Sequence, residues 1–101
     1  MIVRGTTPTI RFNFTNIDSS DIYVAYMTIA QSNSVVLEKD ISQATLGNGF
    51  IEFSLTQEDT LLLDEKVIAS VQLRCKNNLG DAYASKIYTF QPYDVLKESV
   101  I

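Results

Sequence analysis

The sequence has 101 residues, 46% of them hydrophobic and 20% charged, with a net charge of −4 and no histidine. That length suits one domain with enough core to need no disulfide or metal, and the balance excludes a disordered chain. The eight Lys and Arg residues are scattered from Arg4 to Lys97, so no run of phosphates can be neutralised and no nucleic-acid partner is expected.

Met1–Pro8 reads as an extended arm, broken at Gly5 and Pro8. Thr9–Asn16 alternates as a strand does, with Ile10, Phe12 and Phe14 on one side and Thr9, Arg11 and Asn13 on the other. A polar loop follows, with Ile17 beneath it. Ile22–Gln31 is apolar on both faces, which suits a central strand, and its β-branched and aromatic residues argue against a helix. Gln31–Ser34 makes a turn into a short strand over Val35–Lys39. Asp40–Thr45 is ambiguous. Leu46–Gly49 is a loop in which both glycines are expected at positive φ.

Phe50–Leu55 alternates again, with Ile51, Phe53 and Leu55 on one face. Thr56 followed by Gln57-Glu58-Asp59 has the form of a helix cap with acids in the first turn, predicting one helical turn over 57–62. Val67, Ala69, Val71, Leu73 and Cys75 then form the drier face of a long strand. Turn chemistry at Asn77–Gly80 sends the chain back as a second long strand, Ala82–Phe90. The rest of the chain is expected to pack around this hairpin. After Pro92 the tail carries Tyr93, Val95, Leu96, Val100 and Ile101, which are too apolar to float free.

These segments predict an all-β chain with little helix outside 57–62. The expected architecture is an immunoglobulin-like antiparallel β-sandwich of about seven strands, with a small barrel as the alternative. The assignment rests on strand count and spacing, since antibody domains carry a disulfide and a tryptophan that Cys75, alone, and a Trp-free sequence cannot supply. A single domain over 1–101 is expected, with 1–8 as an arm and 93–101 as an apolar tail. Ile10, Phe12, Phe14, Phe53, Val71 and Leu73 are the expected core, and all five phenylalanines are core by default.

Candidate chemistry is sparse. Without histidine there is no hydrolytic triad and no ordinary zinc site. The pairs Glu58/Asp59 and Asp64/Glu65 read as a solvated corner, because neighbouring residues on a strand or short turn point apart and no calcium-loop spacing is present. Cys75 reads as a buried, inert thiol. Hence no catalytic, cofactor-binding or metal-binding residue is assigned, and no cofactor is expected. The tyrosines Tyr23, Tyr26, Tyr83, Tyr88 and Tyr93 read as half-buried packing, with a carbohydrate-binding platform as the alternative. The candidate assembly surface is the tail: Tyr93, Val95, Leu96, Val100 and Ile101 either fold back on the domain or bury in a neighbouring copy. No charged-then-apolar leader and no 18-residue apolar run occurs, so no membrane partner is expected and synthesis is expected in the cytoplasm.

Several stretches carry a resemblance. They are Arg4-Gly5-Thr6-Thr7-Pro8-Thr9 before the strand with Phe12 and Phe14, the strand Ile22–Gln31 ending in glutamine, and Leu55-Thr56-Gln57-Glu58-Asp59-Thr60. With them go Ala69-Ser70-Val71-Gln72-Leu73-Arg74, Ala84-Ser85-Lys86-Ile87 and the closing Leu96–Ile101. Across nearly its whole length the chain resembles small proteins encoded in phages and prophages of Gram-positive bacteria. It also looks like the immunoglobulin-like N-terminal domain of phage baseplate upper proteins, which continue into further domains that hold the receptor-binding protein. The resemblance implies a non-enzymatic structural protein of the tail or baseplate. Its partners would be other virion proteins or copies of itself in a homo-oligomer, and it would pass from the host cytoplasm into the virion. A carbohydrate- or cell-surface-binding module is the second class of function, and an enzyme the third.

Overall fold

The computed structural model describes all 101 residues, Met1 to Ile101. Eight strands form: β1 (Thr9–Asn13), β2 (Ile22–Gln31), β3 (Ser34–Asp40), β4 (Ala44–Gly47), β5 (Phe50–Ser54), β6 (Ala69–Asn77), β7 (Ala82–Ala84) and β8 (Tyr88–Phe90). One short helix, α1 (Gln57–Leu61), lies between β5 and β6, and single 3₁₀ turns occupy Ser19–Asp21 and Ile41–Gln43. A three-stranded antiparallel sheet in the order β1-β5-β4 faces a second sheet in the order β3-β2-β6, with β7 and β8 both paired to the far side of β6. Relabelled in the immunoglobulin convention, these are strands B-E-D against C′-C-F-G, the two-sheet arrangement of that fold. The chain is an immunoglobulin-like antiparallel β-sandwich.

The eight strands are seven rows, because β7 and β8 are one strand interrupted. Arg74 pairs with Ala84 and Val71 with Tyr88. Three residues, Ser85 to Ile87, therefore stand opposite two, Gln72 and Leu73, which is a bulge of one residue. The expected unbroken strand Ala82–Phe90 is corrected accordingly. Ser85 stitches the gap: its N–H donates to Leu73 O at 2.8 Å and its hydroxyl accepts from Leu73 N–H at 3.0 Å.

The inner faces follow the period-two reading. Ile51, Phe53 and Leu55 are buried, as are Ala69, Val71, Leu73 and Cys75. β2 is central, between β3 and β6, and it buries Ala25, Met27 and Ile29 while Tyr26 faces out. Burial raises the Cys75 thiol above its ordinary pKa, which keeps it protonated and unreactive.

Several expectations are corrected. β1 stops at Asn13 rather than Asn16, and Ile10 and Phe14 are only partly buried. Phe50 stands on the outer face, its ring 3.9 Å from the Arg11 guanidinium. Of the two loop glycines, Gly49 takes φ 81° but Gly47 does not take positive φ. Gly47 is instead the last residue of β4, and a Cβ there would fall 2.1 Å from the Phe50 ring. That glycine makes room for an aromatic ring rather than for a turn. The two-residue turn between β2 and β3 is made by Ser32 and Asn33, at φ 52° and 62°, the mirror-image turn that matches strand twist.

The corner at Thr56 forms as its sequence predicts. Thr56 Oγ1 accepts from Asp59 N–H at 3.1 Å, and Asp59 accepts from Thr56 N–H at 2.8 Å. Asp59 also meets Lys39 of β3 at 2.7 Å. Burial pushes the Asp59 carboxyl up, but the Lys39 and Thr56 contacts outweigh it and hold the carboxyl below its ordinary 3.8. A depressed carboxyl contributes stability that is present at neutral pH and is lost as pH falls through its folded value, here below about 4. Thr56→Ala is expected to lose about 0.5–2 kcal/mol in urea unfolding at pH 7. Glu58→Gln, at an exposed side chain, should be neutral; equal small effects at both positions would remove the cap from the account.

Candidate functional site

Two surfaces stand apart from an otherwise closed sandwich: a seam between the sheets and the C-terminal tail. The seam follows from arithmetic. A three-stranded sheet laid over four strand rows leaves one row uncovered, and that row is β7–β8. Tyr83 pairs with Cys75 and Tyr88 with Val71, so both tyrosines belong to the inner face. Yet they are 37% and 52% exposed. Alternation sends a side chain inward, but burial needs a strand opposite, and none is there.

Three clefts of about 410, 290 and 300 Å³ run end to end along this side. The first two share Phe12 and Tyr88; the second and third share Ile10, Val71 and Tyr88. One wall is therefore β1 with Ile10, Phe12 and Phe14, and the floor is Val71, Tyr83 and Tyr88. This geometry also explains the partial burial of Ile10 and Phe14.

The β1 backbone beside the seam is unpaired. Phe14 N–H donates to Gly49 O at 2.7 Å, and Leu55 N–H donates to Pro8 O at 2.8 Å. In an antiparallel ladder bonded and non-bonded pairs alternate, so the even-numbered residues of β1 bond to β5. The N–H and C=O groups of Thr9, Arg11 and Asn13 point the other way, into the seam's mouth. Strand edges of this kind are templates for another strand.

The tail is fixed by its backbone and charges rather than by its apolar side chains. Val3 and Tyr93 form a parallel bridge, with Tyr93 N–H on Ile2 O and Arg4 N–H on Tyr93 O, both at 2.9 Å. The Arg4 guanidinium gathers Asp94 at 2.7 Å, Glu98 at 2.6 Å and the carbonyl of Leu63 at 2.7 Å. The Asp94 carboxyl is held below its ordinary value by the Val95 N–H and then by Arg4. At the far end the Gln57 side chain accepts from Ile101 N–H at 2.8 Å and donates to Ile101 O at 3.2 Å. Of the tail residues singled out by sequence, Val95 is half-buried, while Tyr93, Leu96, Val100 and Ile101 are 51%, 104%, 49% and 90% exposed. The backbone folds back on its own domain and the apolar groups face out.

The remaining candidates are scattered. Tyr26 stands on the outer face of the larger sheet, Tyr83 and Tyr88 in the seam, and Tyr93 in the tail, so the tyrosines make no common platform. Tyr23 is the extra residue of a bulge in β2. The corner acids have structural partners: Asp59 holds the cap and Lys39, and Asp64 accepts from Lys66 N–H at 2.8 Å.

No family model matches the sequence, and no curated protein matches it. Among solved structures the chain is similar to a strand-swapped dimer of the immunoglobulin-like domain of mouse leukocyte-associated immunoglobulin-like receptor 1. The match has 14% identity and a TM-score of 0.49, over 93% of this chain and 84% of that chain.

Proposed function

We propose that this chain is a non-catalytic assembly module, working through protein–protein contact, in a phage particle or prophage remnant at the tail or baseplate. The phage setting is supported by the sequence resemblance, from Arg4–Thr9 through Leu96–Ile101. The assembly reading is supported chiefly by the tail: a backbone pinned by Tyr93, Arg4 and Gln57 holds Leu96 and Ile101 outward. Apolar groups fixed in solvent are characteristic of surfaces that meet a partner. Catalysis has no support in the side chains, since the lone thiol is buried and the clustered acids are engaged in capping and ion pairing.

The test is sedimentation of the full chain and of the double variant Leu96→Ser/Ile101→Ser across micromolar concentrations. The full chain is expected to sediment as an oligomer. The variant should become a smaller species with an unchanged melting temperature, because neither side chain lies in the core. A full-length chain that is monomeric throughout that range would overturn self-assembly through the tail.

A further inference from the structure

We infer that the seam beside β1 receives an extended, acidic strand of another protein, which adds to the edge of the three-stranded sheet. This inference rests on the assembly reading and narrows it to one place and one class of partner. The opening has strand dimensions. β1 presents five residues, about 17 Å at strand rise, with three outward pairs of N–H and C=O groups at Thr9, Arg11 and Asn13. An added strand would bond those groups and aim alternate side chains at Tyr88, Phe12 and Tyr83.

A second copy of this chain does not fit. Pairing β1 with its counterpart would set the two strands about 4.8 Å apart. The β6 rows beneath them, each flanked by its own β7–β8 row, need about three such spacings, so the larger sheets would collide. Only a slim segment free on its outer side can enter. The tail of a neighbouring copy is slim but wrongly patterned. In an extended conformation Leu96, Glu98 and Val100 share one face, and Val95, Lys97, Ser99 and Ile101 the other. Either face puts a charge in the middle of an apolar groove, which is costly without a partner charge there.

Charge identifies the partner. The chain holds 12 acidic and 8 basic residues, yet no Asp or Glu lines the three clefts, and the charged side chains that do are Arg11 and Lys86. Lys86 is exposed and makes no ion pair. An entering strand with apolar residues on its inner face and carboxylates on its outer face meets these cations without burying a charge.

The experiment uses the full chain and a capped nine-residue synthetic peptide in which valine alternates with threonine and glutamate. A control peptide carries lysine in place of glutamate. Amide hydrogen exchange is followed residue by residue by NMR. The acidic peptide is expected to slow exchange at Thr9, Arg11 and Asn13 at least tenfold, and the lysine peptide to leave them unchanged. Lys86→Glu should weaken the acidic peptide at least tenfold while the spectrum stays that of the folded chain. Tyr88→Asp, altering the floor rather than the rim, should weaken it as well. Equal binding of both peptides, or slowing confined to other strands, would overturn the inference. Slowing at these three amides on concentrating the protein alone would assign the seam to a second copy and overturn it too. Each of those failures leaves the sedimentation result for Leu96 and Ile101 standing, so the seam and the tail are judged separately.

Discussion

Phe53→Ala is expected to lower stability by about 3–5 kcal/mol in urea unfolding, the largest effect of any single truncation in this chain. Phe53 is fully buried at the centre of β5, opposite Ile10 of β1 on one side and Ala44 of β4 on the other. Its ring is the largest side chain wholly inside a core of 15 buried apolar residues. Removing it leaves a cavity that the flanking strands, fixed by their ladders, cannot close. A domain of this size has roughly 5–15 kcal/mol in total, so the variant sits near the limit of folding. Phe50→Ala is the matched control, three residues away but on the outer face. It forfeits contact with Arg11, a stacking contribution of about 0.5–1 kcal/mol at exposed sites. If the two variants lose the same amount, the inner and outer faces of β5 have been assigned wrongly.

The period-two pattern carried most of the fold because it reports which way each side chain points. Ile51, Phe53 and Leu55, and the row from Ala69 to Cys75, could be assigned to an inner face from their order alone. β2 begins and ends where its apolar block does, at Ile22 and Gln31. What alternation does not report is whether anything lies opposite. Tyr83 and Tyr88 point inward as their positions require and are still exposed, because the smaller sheet is one row short. Bulges were also invisible. Tyr23 in β2, Val36 in β3 and Ser85–Ile87 each add a residue without a partner, and a single added residue erases the very periodicity that would reveal it.

The candidate surfaces divide along the same line. The tail was legible because five apolar side chains in nine residues stand out in any context. The seam was not, since it is made by Phe12 and Tyr88, which are 76 positions apart and look like ordinary core residues. Long-range polar contacts were equally silent. Lys39 and Asp59 read as solvated charges until the fold brings β3 to the helix, and Gly47 reads as a turn residue until Phe50 lies across it. Arg4 was noticed only as part of a motif. Its position beside Asp94, Glu98 and Glu65 depends on the chain's two ends meeting, which no local pattern encodes.

Gln31 is the clearest case of a residue whose importance depends on the fold, and it carries the second large expected effect. It ends β2, buried at 7% exposure. Its Nε2 donates to Asp64 O at 2.8 Å and to Val67 O at 2.9 Å, while its Oε1 accepts from Asp64 N–H at 2.9 Å. One side chain thereby satisfies three backbone groups of the loop that leads from α1 into β6. Gln31→Leu keeps the volume and removes all three bonds. Because unpaired buried groups cost about 1–3 kcal/mol each, and part of the loop can turn to water, a loss of about 2–4 kcal/mol is expected at pH 7. Gln31→Glu separates hydrogen bonding from shape. Its ionised carboxylate can accept from Asp64 N–H but faces two carbonyls with nothing to donate, and burial raises its pKa. Relative to the parent chain at each pH, that variant should regain stability as pH falls and the carboxyl takes up a proton, whereas Gln31→Leu should show no such recovery. If Gln31→Leu unfolds within 1 kcal/mol of the parent, a threshold set by the lower end of that per-group cost, water replaces the amide at this loop and Gln31 is not what holds α1 to the start of β6.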